Sequence, residues 1–225
     1  HVRSRRQRQM CIRDRFCSNC GHGQLTNVVD IELQYGHAEE YFFRASQSIS
    51  GRKTAEFFIN FFDKVIGDQT FDTIVELGCN DLFLLKQLHP RAKSLIGIDP
   101  ILKGKETEIE EENLFVIGDF FENVEIDSSI DIVICKDTLE HISDPKQFVK
   151  KIVDKGSENT KFFFQFPLLE PLLTDCRFDQ VYHQHLNYFS LSSIIQMLDE
   201  LGCGLIDYTV NYEHWGSIII AVSYT

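Results

Sequence analysis

An α/β fold with a doubly wound, mostly parallel sheet is predicted for this 225-residue chain, preceded by a small, loop-rich, zinc-knuckle-like N-terminal appendage. Two observations carry the prediction. Five short apolar runs (73–77, 95–100, 114–121, 130–137 and 161–167) alternate with helical or irregular segments, as in a parallel sheet built from βαβ units. The first three carry an acid at or near their ends, Glu76, Asp99 and Asp119. In open sheets of this class ligands lie beyond the carboxyl ends of the strands.

Taken in order, residues 1–15 hold six arginines and one acid with no apolar periodicity. They lack the apolar centre of a secretion signal and the amphipathic spacing of a transit peptide, resemble translated adaptor sequence, and are read as a foreign or disordered leader. Residues 16–50 form the appendage. Its Cys17-x-x-Cys20-Gly21 places two thiols on a tight turn, half of the four-ligand set of a structural zinc, with His22, His37 and Cys11 as further candidates. An uncoordinated pair is the competing reading. Residues 51–225 form the main domain, and the chain is read as stopping inside a strand-like run.

Within that domain, 50–66 places Ala55, Phe58, Ile59, Phe62, Val65 and Ile66 at helical spacing, a helix covering the sheet. The run "IVELGCNDLFLL" then brings a buried strand to Glu76, turns on Gly78 and enters an amphipathic segment that Asn80 or Asp81 can cap. Dinucleotide and triphosphate loops are disfavoured, since Asn80 and Phe83 stand where G-x-G-x-x-G needs glycine and no Gly-Lys-Ser/Thr follows. Asp99, 23 residues after Glu76, sits at the spacing that places an acid on ribose hydroxyls. The charged stretch 103–113 reads as a solvated connection, 191–202 as a helix stopping at Gly202, and 203–210 and 216–223 as a closing strand pair.

Residues 72–166 resemble a class I S-adenosylmethionine-dependent methyltransferase. The resemblance implies a Rossmann-like core and assigns the cofactor to Glu76, Gly78, Cys79, Asn80, Asp99, Asp119 and Phe120, with Tyr41 beside them. From about residue 16 to the end, "CSNCGHGQL", "YFFRASQS", "FDQVYHQHLNYFSL" and "EHWGS" are similar to the sugar C-methyltransferase family, which acts on nucleotide-linked keto-deoxy sugars. That likeness implies two Cys-x-x-Cys pairs, a methyltransferase core and a further C-terminal domain, so the chain is read as cut at both ends, with Cys17 and Cys20 as metal ligands. It implies His185 as general base, Tyr182 and His141 as further catalytic-pocket groups, and Gln184, His214 and Ser217 against the substrate. Removing a proton next to a ketone suits histidine, whose ordinary pKa of about 6.5 leaves it partly unprotonated near neutrality.

The chain departs from the family at Leu82, Gln184 and Trp215, where glycine, glutamate and glycine are expected; a different sugar or carbon acid fits those changes. An O- or N-methyltransferase for another small molecule, or a cofactor-binding module without turnover, stands as the alternative. With 34 acidic against 22 basic residues the surface repels phosphate polymers, which argues against a nucleic-acid partner. No apolar run reaches the ~20 residues of a membrane span. The seven scattered cysteines read as reduced thiols of a cytoplasmic protein.

Overall fold

A computed structural model describes residues 14–29, 43–109, 111–126, 129–212 and 216–225. Two short strands come first, β1 (Asp14–Phe16) and β2 (Gly23–Leu25). Helix α1 (Ile49–Ile66) follows, then β3 (Phe71–Leu77), α2 (Phe83–Gln87), β4 (Ala92–Ile98), α3 (Glu106–Ile109) and β5 (Leu114–Ile117). The second half runs β6 (Ile132–Lys136), α4 (Pro145–Lys155), β7 (Lys161–Pro167), α5 (Leu169–Thr174), β8 (Asn187–Tyr188), α6 (Leu191–Glu200), β9 (Cys203–Asn211) and β10 (Ser217–Tyr224).

Seven strands form the main sheet in the order β5-β4-β3-β6-β7-β10-β9. The pairs β3–β4, β3–β6, β4–β5 and β6–β7 are parallel, and β10 inserts antiparallel between β7 and β9. The chain leaves β3 toward β4 on one side and returns to β6 on the other. This reversal opens a crevice at the carboxyl ends of β3 and β6, where such sheets bind ligands.

Strand alternation sorts the core onto two faces. Phe162, Phe164 and Phe166 of β7 join Val75, Leu77, Val133 and Ile220 under Phe148 and Ile152 of α4 and Ile194 and Leu198 of α6. Phe163 points the other way, into Phe58, Phe61 and Phe62 of α1, with ring centroids 6.1, 6.3 and 4.9 Å away. Helix α1 buries Ala55, Phe58, Phe62 and Ile66 at three- and four-residue steps. Its N-terminus is capped by Ser48 Oγ accepting from Gly51 N, and its end turns on Gly67.

Three local expectations change. The stretch 103–113 contains the single turn α3, none of it fully buried, with Ile109 alone of its residues packed against the core. Helix α2 begins at Phe83 with Leu82, not Asn80 or Asp81, at its N-cap and without a side-chain cap. Asn80 and Asp81 reach outward instead: Asn80 Oδ1 accepts from Ala45 N (3.2 Å), and Asp81 Oδ2 accepts from Ser46 N (3.0 Å) and Oγ (2.5 Å). Asp14 and Arg15, assigned to the leader, pair with Leu25 and Gln24 in β1–β2. Backbone pairing makes no demand on their exposed side chains.

β2 also pairs with β8, so the N-terminal hairpin shares a three-stranded sheet with the segment that follows His185. No helix among the described residues is long and apolar enough to cross a membrane.

Candidate active site

The crevice is built first by backbone. Gly78 has φ +70° and donates its N–H to Ile98 O (2.8 Å); a Cβ there would lie 2.2 Å from Thr138 Oγ1. Thr138 Oγ1 is itself held by Leu77 O (3.3 Å) and Lys136 O (3.1 Å), so the glycine turn is clamped between the ends of β3 and β6. Asp99 Oδ2 accepts from Asn80 N (2.8 Å) and Oδ1 from Ile101 N (3.0 Å). Each of those oxygens keeps a lone pair for another donor. Leu82 takes φ +64° and is 1% exposed. Its burial holds a backbone conformation that β-carbon sterics disfavour.

The acids differ electrically. Glu76 is buried; desolvation raises its carboxyl to about 8, partly opposed by Lys136, and Oε2 has no hydrogen-bond partner. Asp99 is raised to about 6 by burial, against the pull of the Ile101 and Asn80 N–H groups. Asp119 is held below the ordinary range by Asn123 Nδ2 (2.9 Å) and Phe120 N (2.7 Å). Beyond β6, Asp137 has φ +51°, pairs with Lys136 through Oδ2, and accepts from Gln165 Nε2 (2.9 Å) through Oδ1.

A histidine cluster forms the other end. His141 follows β6, and its Nδ1–H donates to Gln184 O (2.7 Å). His185 is 4% exposed, its ring centred 5.1 Å from that of His141. Its Nδ1–H donates to Gln180 O (3.0 Å), which leaves the Nε2 lone pair to accept from the Tyr182 hydroxyl (2.7 Å). Burial, then the neighbouring His141, lowers His185 to about 3, so it is a neutral base throughout the physiological range. Tyr182 is 37% exposed and carries the dyad to the surface of the crevice. His183, two residues before His185, is exposed.

Both ends line one cavity of about 500 Å³. Of the cofactor candidates, Glu76, Gly78, Cys79, Asn80, Asp99, Asp119 and Phe120 reach it; His141, Tyr182, Gln184, His185 and Ser217 line it from the other side. Tyr41 and His214 lie outside the described residues, as do Trp215, His37 and Cys11. Sequence reasoning missed Glu140, whose buried Oε2 is also without a partner and whose carboxyl is raised well above the ordinary range by burial and then Asp137. A lone acid between apolar residues in "TLEHI" was its only signal. Thr138 and Lys136 left none, because a glycine clamp and a charge balance depend on which strands are neighbours.

Cys17 and Cys20 stand apart from this cavity. Cys17 N donates to His22 O and Gly21 N to Cys17 O, both 2.8 Å, closing a knuckle turn. The Cys20 and Asn19 N–H groups, with the Cys20 thiol, hold the Cys17 thiol below its ordinary value. Among the described residues no third candidate metal ligand joins the two cysteines. The only such three-residue group described is Glu140, His141 and His185. Both ring nitrogens of His185 are already hydrogen-bonded, so that group reads as an acid–base cluster.

C-methyltransferase NovU of Streptomyces niveus is 26% identical over 212 residues, covering 91% of this chain and 49% of NovU. The chain therefore spans about half the length of that relative. Among solved structures, magnesium protoporphyrin IX methyltransferase from Synechocystis PCC 6803 shares 13% identity at a TM-score of 0.62, over 79% of this chain and 84% of that one. N-methyltransferase NodS from Bradyrhizobium japonicum WM9 shares 11% at 0.61, over 81% and 91%. These two likenesses carry the fold. Residues 44–208 match the methyltransferase domain family, well over half of the sequence, and the chain belongs to that family.

Proposed function

We propose that this chain is an S-adenosylmethionine-dependent C-methyltransferase that methylates a carbon next to the ketone of a nucleotide-linked keto-deoxy sugar, with His185 as general base. The observation that carries this reading is the Tyr182–His185 pair facing the same cavity as the acids of β3, β4 and β5. When bound, the cofactor supplies an electrophilic methyl group and a positive sulfonium. The residues present fit it. Asp99 retains acceptor capacity for a ribose diol, Gly78 allows close approach to backbone, and the orphaned Glu76 Oε2 suits an ammonium group. Asp119 and Phe120 stand at the adenine side, and Cys79 and Asn80 complete the turn.

At the other end, the proton of the substrate carbon passes to the Tyr182 oxygen as the Tyr182 proton moves to His185 Nε2. The Gln180 carbonyl fixes the tautomer that keeps Nε2 unprotonated. His141, Gln184, Ser217 and, from its sequence position, His214 hold the sugar and the enolate oxygen. The name of NovU supports carbon as the acceptor atom. Cys17 and Cys20 are proposed as residues that would hold a structural zinc. Such a site would brace the N-terminal hairpin and takes no part in the chemistry.

The test is deuterium wash-in at the carbon α to the ketone of a nucleotide-linked keto-deoxy sugar, followed by proton NMR with S-adenosylhomocysteine in place of the methyl donor. Exchange that disappears in His185→Asn is expected. Methyl transfer to an oxygen or nitrogen with no exchange at carbon overturns the reading.

A further inference from the structure

The N-terminal hairpin does more than sit beside the domain. His22 Nε2–H donates to Asn187 Oδ1 (3.2 Å), while Asn187 Nδ2 donates to Ile142 O (2.6 Å). The side chain of Asn187 is therefore spent at both ends, and it is 2% exposed. Ile142 is the residue after His141; Asn187 is the second residue after His185. The two backbones are further tied by Leu186 N to Glu140 O (2.7 Å) and by His141 Nδ1 to Gln184 O. From the hairpin side, Leu25 N donates to Leu186 O (2.9 Å), Gln24 pairs with Asn187, and the His22 ring packs 4.8 Å from that of Phe189. Ser192 Oγ reaches Cys20 O (3.2 Å) at the knuckle itself.

We propose that His22 and Asn187 are positioning residues: the hairpin, acting through them, sets the distance between the two histidine-bearing segments and holds His185 behind Tyr182. The proposal rests on the reading of His185 as the base for its catalytic meaning, but not for its geometry. The physical case is that a buried amide making one bond to each of two loops fixes their separation only while both bonds are satisfied. The orientation of Asn187 is selected by its partners. His22 at Oδ1 and Ile142 O at Nδ2 favour the same orientation; without His22 the buried Oδ1 is left without that donor and the amide no longer ties the hairpin to the 140–142 segment. A residue more than 160 positions away in sequence thereby acts on the loop that carries the base.

The test uses the full chain with ring-labelled histidine, reading the imidazole titrations of His141 and His185 by NMR in the wild type and in His22→Leu, His22→Gln and Asn187→Ala. Affinity for S-adenosylhomocysteine serves as the control, since its site lies across the cavity. In His22→Leu and Asn187→Ala the His185 titration moves up by roughly one unit or more toward the ordinary value as the segment loosens, with affinity for S-adenosylhomocysteine held within about twofold. His22→Gln, which keeps a donor at similar reach, restores the wild-type titration. If Asn187→Ala does not fold, His22→Leu carries the test, because His22 is only half-buried. An unmoved His185 titration in a folded His22→Leu overturns the proposal, as does a His22→Gln variant as perturbed as His22→Leu. The catalytic reading fails separately, if His185→Asn keeps full methyl transfer.

Discussion

Replacing Glu76 by glutamine removes a charge from the crevice while keeping its shape. In the folded protein burial raises the Glu76 carboxyl to about 8 from an ordinary 4.5. Between those values the folded state keeps a proton that the unfolded chain has released, so this group makes stability fall as pH rises. The slope is at most about 1.4 kcal/mol per pH unit. Across a window of roughly three and a half units the ceiling is about 4–5 kcal/mol, reached near pH 8 and absent below pH 4.5. The glutamine amide never ionises and escapes this cost. Glu140 is raised too, but it is present in both proteins and cancels in the comparison. Urea unfolding of wild type and Glu76→Gln is therefore expected to give similar stabilities near about pH 5 and a variant several kcal/mol more stable near about pH 8. Adding S-adenosylhomocysteine reverses the advantage, since the ligand's ammonium stabilises the ionised carboxylate that the variant lacks. A stability difference that stays constant across that pH range refutes the reasoning.

Four further outcomes follow from the same geometry. Gly78→Ala places a methyl group against the pinned Thr138 hydroxyl at positive φ; a loss of about 2–4 kcal/mol in unfolding free energy and at least a roughly tenfold weaker affinity for S-adenosylhomocysteine are expected, by denaturation and calorimetry. Tyr182→Phe and His185→Asn are expected to lower turnover by roughly a hundredfold or more with cofactor affinity unchanged. Because His185 is lowered to about 3 and stays neutral, the wild-type pH–rate profile should show no acidic limb from this residue above about pH 4. Phe163→Ala opens a cavity among Phe58, Phe61 and Phe62 and is expected to cost about 3–5 kcal/mol, read by urea unfolding.

Much of this architecture was legible because it is written in short-range patterns. The five parallel strands declare themselves as apolar runs, and the acids at their ends announce where the sheet faces a ligand. Helix α1 was readable from the spacing of Ala55, Phe58, Phe62 and Ile66, and the stop at Gly202 from a glycine that takes φ +75°. What escaped depends on long-range juxtaposition. Nothing near Thr138 says that it will plug the space a Cβ at residue 78 would need. Asn80 and Asp81 have cap chemistry, but the 45–46 turn competes for their oxygens and wins. The histidine pair was visible as a motif, yet its ordinary pKa was the wrong guide, since burial beside His141 keeps His185 neutral. The hairpin's hold on the 184–192 segment spans the whole chain and has no local signature.

Calorimetric titration of the full chain with S-adenosylhomocysteine tests the central claim most directly, that acids at the ends of β3, β4 and β5 hold an adenosyl ligand. One site per chain with micromolar affinity is expected, weakened roughly tenfold or more in Asp99→Ala. A folded chain that takes up no S-adenosylhomocysteine at about millimolar concentration, or that binds it equally well without the Asp99 carboxylate, contradicts the account.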